Sequence, residues 1–151
     1  MKGWYCSTND KRLRYDDNRL IRRGITHKMK WPYSYSTPVS YADGLSRDDF
    51  REFIRPTLCY AGLHASKNIH TACLFGAGRW IWRVEVTGRI DDDEYKFCGD
   101  ERKYLWGIEI PLSIINAVLA NYYNNGEEIL LKYVRQEALK KGYIKKGERL
   151  R

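Results

Sequence analysis

From Trp80 to Val86 the chain alternates without a break. Trp80, Trp82, Val84 and Val86 fall on one side of an extended backbone, and Ile81, Arg83 and Glu85 on the other. A period of two excludes a helix here and commits the chain to a sheet with a buried face. Tyr104, Trp106, Ile108 and Ile110 alternate in the same way and predict a second strand with those four side chains on one face. Between the runs, Gly88 and the acidic stretch Asp91 to Glu94 read as a turn or exposed loop, with Lys96 as an ion-pair partner. Consecutive carboxylates of this kind are solvated, and the glycine-containing spacing of a calcium loop is absent.

Upstream, Arg12 to Tyr15 and Arg19 to Arg22 predict two short strands joined by a tight turn at Asp16-Asp-Asn18, and Ile25 to Trp31 a third strand. Ser46 followed by Asp48 and Asp49 marks a helix start, and Pro56 limits that helix to about two turns. Ser66 is positioned to cap a second helix, in which Ile69, Ala72 and Cys73 recur at helical spacing before Gly76 and Gly78 stop it. Pro111 opens a helix carrying Leu112, Ile115, Val118, Leu119 and Tyr122, closed by Asn124-Asn-Gly126. A last helix from Glu127 to Lys141 is acidic at its start and basic at its end, as the helix dipole favours, and Gly142 ends it. The expected architecture is α+β: a small, mostly antiparallel sheet with inserted helices and a C-terminal helical hairpin. One domain covers 1–151, with an α+β core at 1–110, helices at 111–142 and a mobile basic tail at 143–151.

The net charge of +8 is concentrated at the two ends. Met1 to Ser36 carries nine Lys/Arg against three Asp, and Lys132 to Arg151 eight against two Glu. Two basic ends on a compact domain can merge into one positive face for nucleic acid, a nucleoprotein or another acidic partner, or can serve solubility alone. Lys140, Lys141, Lys145 and Lys146 are the candidate contacts in the second block. The 12 Tyr and 5 Trp suit core filling, and equally stacking on bases. Cys6, Cys59, Cys73 and Cys98 lie far apart in sequence, with no Cys-x-x-Cys and no His pair at metal spacing, so no metal site is expected. No signal peptide or membrane-length apolar run is visible, which predicts reduced thiols, a cytoplasmic location and no membrane partner.

Leu58 to Ser66 reads as a turn delivering His64 and Ser66 to a helix N-terminus, where free amides could receive an anion. Ser66 as a helix cap and His64 as a buried histidine bonded to backbone are the simpler readings. Arg14 and Arg19 flank the first turn, and Glu101 and Arg102 precede the Tyr104 strand as an exposed ion pair or as binding residues. No phosphate-binding glycine loop, dinucleotide turn or His-Glu-x-x-His is present.

Leu13-Arg-Tyr-Asp-Asp-Asn-Arg19, Cys59-Tyr-Ala-Gly-Leu-His-Ala-Ser66, Val84-Glu-Val-Thr-Gly88, and Glu101-Arg102 ahead of Leu105-Trp106 occur in order. In these motifs, over roughly its first two-thirds, the chain resembles a family of small phage and prophage proteins, with Pro32 to Arg55 as an insertion. The resemblance implies a phage accessory protein in a bacterial host cell, aimed at host takeover or anti-defence, and brings no established activity. A more distant likeness is to mono-ADP-ribosyltransferases. It implies Arg14 on the pyrophosphate of NAD, Ser66 bracing the nicotinamide ribose and Glu101 on the ribose hydroxyl. Ala65 breaks the Ser-Thr-Ser pattern of those enzymes, and Gly99 stands where their Glu-x-Glu pair begins. The leading expectation is therefore a binder of host nucleic acid or a nucleoprotein, without cofactor. The alternative is an NAD-dependent mono-ADP-ribosyltransferase.

Overall fold

In a computed structural model, which describes residues 1–13, 19–29, 63–75 and 78–150, the chain forms an antiparallel sheet flanked by helices. The strands are β1 (Lys2–Ser7), β2 (Thr26–Lys28), β3 (Leu63–Ser66), β4 (Trp80–Asp92) and β5 (Lys96–Glu109). The helices among the described residues are α1 (Ile69–Phe75), α2 (Leu112–Ala120) and α3 (Gly126–Lys140). The expected helix from Ser46, the turn at 16–18, Arg14 and the part of the expected third strand beyond Met29 lie outside the described residues. Of the two expected strands near the N-terminus, the described part is a single antiparallel bridge, Arg12 to Leu20, flanked by Leu13 N–H to Arg19 O and Ile21 N–H to Lys11 O.

The sheet closes on itself. β1 pairs with β4, β4 with β5, β5 with β3, and β3 with β1 through Trp4 and Ser66, while β2 extends β5 beyond the end of β3. A ring of this kind leaves few open edges, the usual liability of a small sheet. Alternation then sorts the side chains. Trp82, Val84, Val86, Phe97, Leu63 and Ala65 fill the inside of the ring, and Leu13 and Ile21 join them. On the outside, Trp4, Cys6, Ile81, Trp106 and Ile108 meet Ile69 and Ala72 of α1 and Leu130, Val134 and Ala138 of α3.

β1 carries no clean alternation in hydrophobicity, and sequence reasoning missed it. Its inward positions are Gly3, Tyr5 and Ser7, and the first and last are small for a packing reason. A Cβ on Gly3 would sit 2.6 Å from the Phe97 ring, and Ser7 Oγ accepts the buried Trp82 indole N–H at 3.0 Å. A polar inward residue erases the pattern that marks a strand.

Two irregularities shape the long β4–β5 hairpin. Arg83 pairs with Trp106 but Val84 pairs with Tyr104, so Leu105 is an extra residue on β5. The bulge puts Tyr104 inside the ring and Trp106 outside it, correcting the expectation of one shared face. The second falls at Gly88, expected as a turn but found inside β4 with φ +85°, opposite Asp100. Arg89 donates to Asp100 from its backbone N–H at 2.8 Å and from its guanidinium at 3.0 and 2.9 Å. The actual turn is Asp93 to Tyr95, where the Asp93 carboxylate accepts the Tyr95 and Lys96 amides at 2.8 Å each. Lys67 pairs with the acidic run, its ammonium 2.7 Å from Asp92.

The helices depart from expectation in two respects. The Leu112 and Leu119 side chains of α2 are mostly exposed and only Val118 is buried, because α3 occupies the sheet face and α2 leans on α3. The chain beyond Gly142 is docked rather than loose. Gly142 (φ +66°) closes α3, Tyr143 N–H returns to Ala138 O at 2.8 Å, Tyr143 stacks on Trp106, and Ile144 is 6% exposed.

Two predictions follow from this packing. Ile144→Ala lowers the unfolding free energy by about 2–4 kcal/mol in urea titration, where a loose tail would give no change. Arg89 holds the Asp100 carboxyl below the usual carboxylate range through its hydrogen bonds. A depressed folded pKa gives stability that is complete above the unfolded value of about 4 and lost as pH falls through the lower folded value. Asp100→Asn should therefore flatten this part of the acid limb in a pH series of melting temperatures.

Candidate functional site

Ser66 and Glu101, the two described residues of the expected transferase site, do not converge. Ser66 ends β3 opposite Lys96, whereas Glu101 sits five residues further along β5, opposite Lys28 of β2. At about 3.3 Å per residue that separation is roughly 16 Å along the strand. Arg14 lies outside the described residues. Ser66 does not cap α1, because the β3–β5 ladder runs through it and Lys67 N–H continues to Tyr95 O. The cap falls instead on Asn68, whose Oδ1 accepts Thr71 N–H at 2.7 Å while its carbonyl accepts Ala72 N–H. The Thr71 and Ala72 amides are thus committed within the protein. His64 is half-buried in β3, paired with Cys98.

Arg102 and Glu101 do not form the exposed pair. Glu101 faces Lys28 Nζ at 3.5 Å, and Arg102 is 2% exposed. The Arg102 guanidinium lies 3.7 Å over the Tyr5 ring, donates from Nε to the Tyr104 hydroxyl at 2.8 Å, and donates to the His64 carbonyl. It is an internal clamp between β5 and β3, and burial beside it pushes the Tyr104 phenol up to about 12. Arg19 donates to the Lys28 carbonyl at 2.8 Å. Cys6 and Cys73, far apart in sequence, are brought together. The hydrogen bond between their thiols, with burial, pushes the Cys73 thiol up, so it stays protonated and unreactive at neutral pH.

The two basic ends do meet, at a groove of about 380 Å³. One wall is Trp80 and Trp82 of β4, stacked with centroids 5.7 Å apart. Trp82 reaches this position because its ring lies over Gly107, where a Cβ would come within 2.6 Å of it. Lys11 caps that wall with Nζ 3.9 Å from the Trp80 ring centroid. It is held there by a turn in which Thr8 Oγ1 accepts Arg12 N–H and Lys11 itself adopts φ +60°, a left-handed conformation that L residues rarely take. A second wall is Tyr143, with the Arg23 guanidinium 4.7 Å over its ring. Arg22 and Arg23 sit on a turn fastened to β5 by Gly24 N–H to Tyr104 O at 2.7 Å and Tyr104 N–H to Ile25 O at 2.9 Å. Lys141, at the end of α3, completes the rim.

Lys11, Arg22, Arg23 and Lys141 form no ion pair with any described residue, so their charge is available to the groove. Lys140 differs, since its ammonium is 2.7 Å from Glu137, whose hydrogen bond raises its pKa. Lys145 and Lys146 are exposed on the turn after Ile144. Sequence reasoning identified Lys141 and the basic blocks. It missed Lys11, Arg22, Arg23, Trp80 and Tyr143 as a site, although the blocks themselves were the signal.

No protein-family model matches this chain, and no curated protein or solved structure is detectably similar to it. The groove's chemistry alone must therefore carry the functional argument.

Lys11→Gly separates the cation from the turn that carries it. Glycine relieves the left-handed strain and adds unfolded-state entropy, so stability should stay within about 1 kcal/mol. The tryptophan emission should change as the ammonium leaves the Trp80 face. A large loss of stability would show that Lys11 is part of the scaffold rather than the site.

Proposed function

We propose that this chain binds nucleic acid, bare or within a nucleoprotein complex, through the groove between the Trp80 wall and the Tyr143 wall. The observation that carries the proposal is the set of four cations from three parts of the chain around one concavity lined by aromatic rings, with no described carboxylate neutralising them. Uncompensated cations repel one another and cost the free protein stability. Their charge is matched only when a polyanion enters and releases its counterions. In the phage setting that the sequence motifs imply, the partner is host nucleic acid or a nucleoprotein machine, such as a defence complex, in the bacterial cytoplasm. No described helix is long and apolar enough to cross a membrane. The transferase alternative requires Ser66 and Glu101 at one cleft, and their register separation favours the binding reading.

Charge reversal tests the proposal. Arg22→Glu with Lys141→Glu should weaken binding of a labelled oligonucleotide by at least tenfold at 100 mM salt. Each lost phosphate contact should also reduce the steepness of the salt dependence by about one unit. Lys140→Glu, outside the groove and already committed to Glu137, should change affinity far less. Equal effects from Lys140 and Lys141 would point to general surface charge in place of this groove.

A further inference from the structure

Resting on that nucleic-acid reading, we infer that the groove takes a single strand, seating an unstacked base against Trp80 while Lys11, Arg22, Arg23 and Lys141 hold the flanking phosphates. Three observations carry this. The site is concave and small, about 380 Å³, near the lower end of the roughly 300–1,000 Å³ typical of small-ligand pockets. A duplex is a convex cylinder with its bases turned inward, and proteins read it with an element that projects into a groove. A slot of this size instead admits a strand one nucleotide at a time.

The aromatic walls offer ring faces, the sequence-tolerant platform for bases that a duplex cannot present. The Trp80 wall is also rigid. Trp82 stands behind Trp80, its indole N–H fixed on Ser7 and its ring seated over Gly107. A stacking base therefore meets a pre-formed surface.

The cations occupy the ring faces that bases would use. Lys11 lies over Trp80, and Arg23 over Tyr143, whose other side stacks on Trp106. A cation over a half-exposed ring is weakly held. An arriving phosphate draws Lys11 off the indole, and the base takes its place. One exchange uses the same two side chains for backbone and base. The cations thus keep the aromatic walls covered until a strand arrives.

The test compares a labelled 12-nucleotide oligodeoxythymidylate, the same length of oligouridylate, a 12-base-pair duplex and an abasic 12-mer by fluorescence anisotropy at 100 mM salt. The expected result is at least tenfold tighter binding of the thymidylate or uridylate strand than of the duplex or the abasic strand. Trp80→Ala should weaken single-strand binding by about 5- to 100-fold, several times more than it weakens duplex binding, and be largely rescued by Trp80→Phe. Circular dichroism melting confirms that both variants are folded. Arg22→Ala should weaken single-strand and duplex binding together. Equal affinity for strand and duplex, or single-strand binding indifferent to folded Trp80→Ala and Trp80→Phe, overturns this inference while leaving the broader reading intact. Absence of binding to every probe overturns both.

Discussion

The extra residue at Leu105 governs how this small sheet divides its aromatic side chains. Before it, Tyr104 points into the ring against Trp82, His27 and Tyr5; after it, Trp106 points outward against Trp4 and Tyr143. Strict alternation would have put both rings on one side and left the other under-filled. Close-packed interiors do not tolerate such a gap, since a void costs both the transfer energy and the lost contacts. The same bulge tightens the local twist, which a ring of so few strands requires. Trp82 then sits over Gly107 with its indole N–H on Ser7, and the groove wall is a by-product of core packing.

The groove joins distant parts of the sequence for a simple geometric reason. β1 and β4 are paired along β1, so the turn after β1 emerges beside the start of β4 and brings Lys11 to Trp80. Pairing of β2 with β5 fastens the Arg22–Arg23 turn nearby, and the closing turn of α3 returns Tyr143 onto Trp106. Each cation is placed by a backbone constraint and not by an opposing carboxylate. An ammonium over a half-exposed ring contributes about 1 kcal/mol, enough to orient the side chain and too little to commit it. That balance suits a site whose cations must move to a ligand.

Legibility in the sequence followed physical pattern closely. β4, β5, α2 and α3 were visible because period two or period 3.6 ran through them, and Gly142 was visible as a stop because the left-handed position after a helix favours glycine. β1 was invisible because two of its three inward residues are Gly3 and Ser7, chosen by Phe97 and Trp82 across the ring. Ser66 had the chemistry of a cap, but tertiary pairing with Lys96 overrode local preference and moved the cap to Asn68. Arg102 looked like surface charge because nothing local reveals a ring interior lined by Tyr5 and Tyr104. The charge blocks were legible, whereas their meeting at a pair of aromatic walls depends on contacts that no window of sequence contains.

The most direct test is residue-resolved. Amide and indole chemical shifts of the isotope-labelled protein, followed during titration with an oligodeoxythymidylate, report which surface the ligand touches. The account predicts a contiguous set of changes at Lys11, Arg22, Arg23, Lys141, Tyr143 and the Trp80 indole, with the Ser66 and Glu101 amides unmoved. Changes centred on β3 and the middle of β5, with the groove silent, would contradict it.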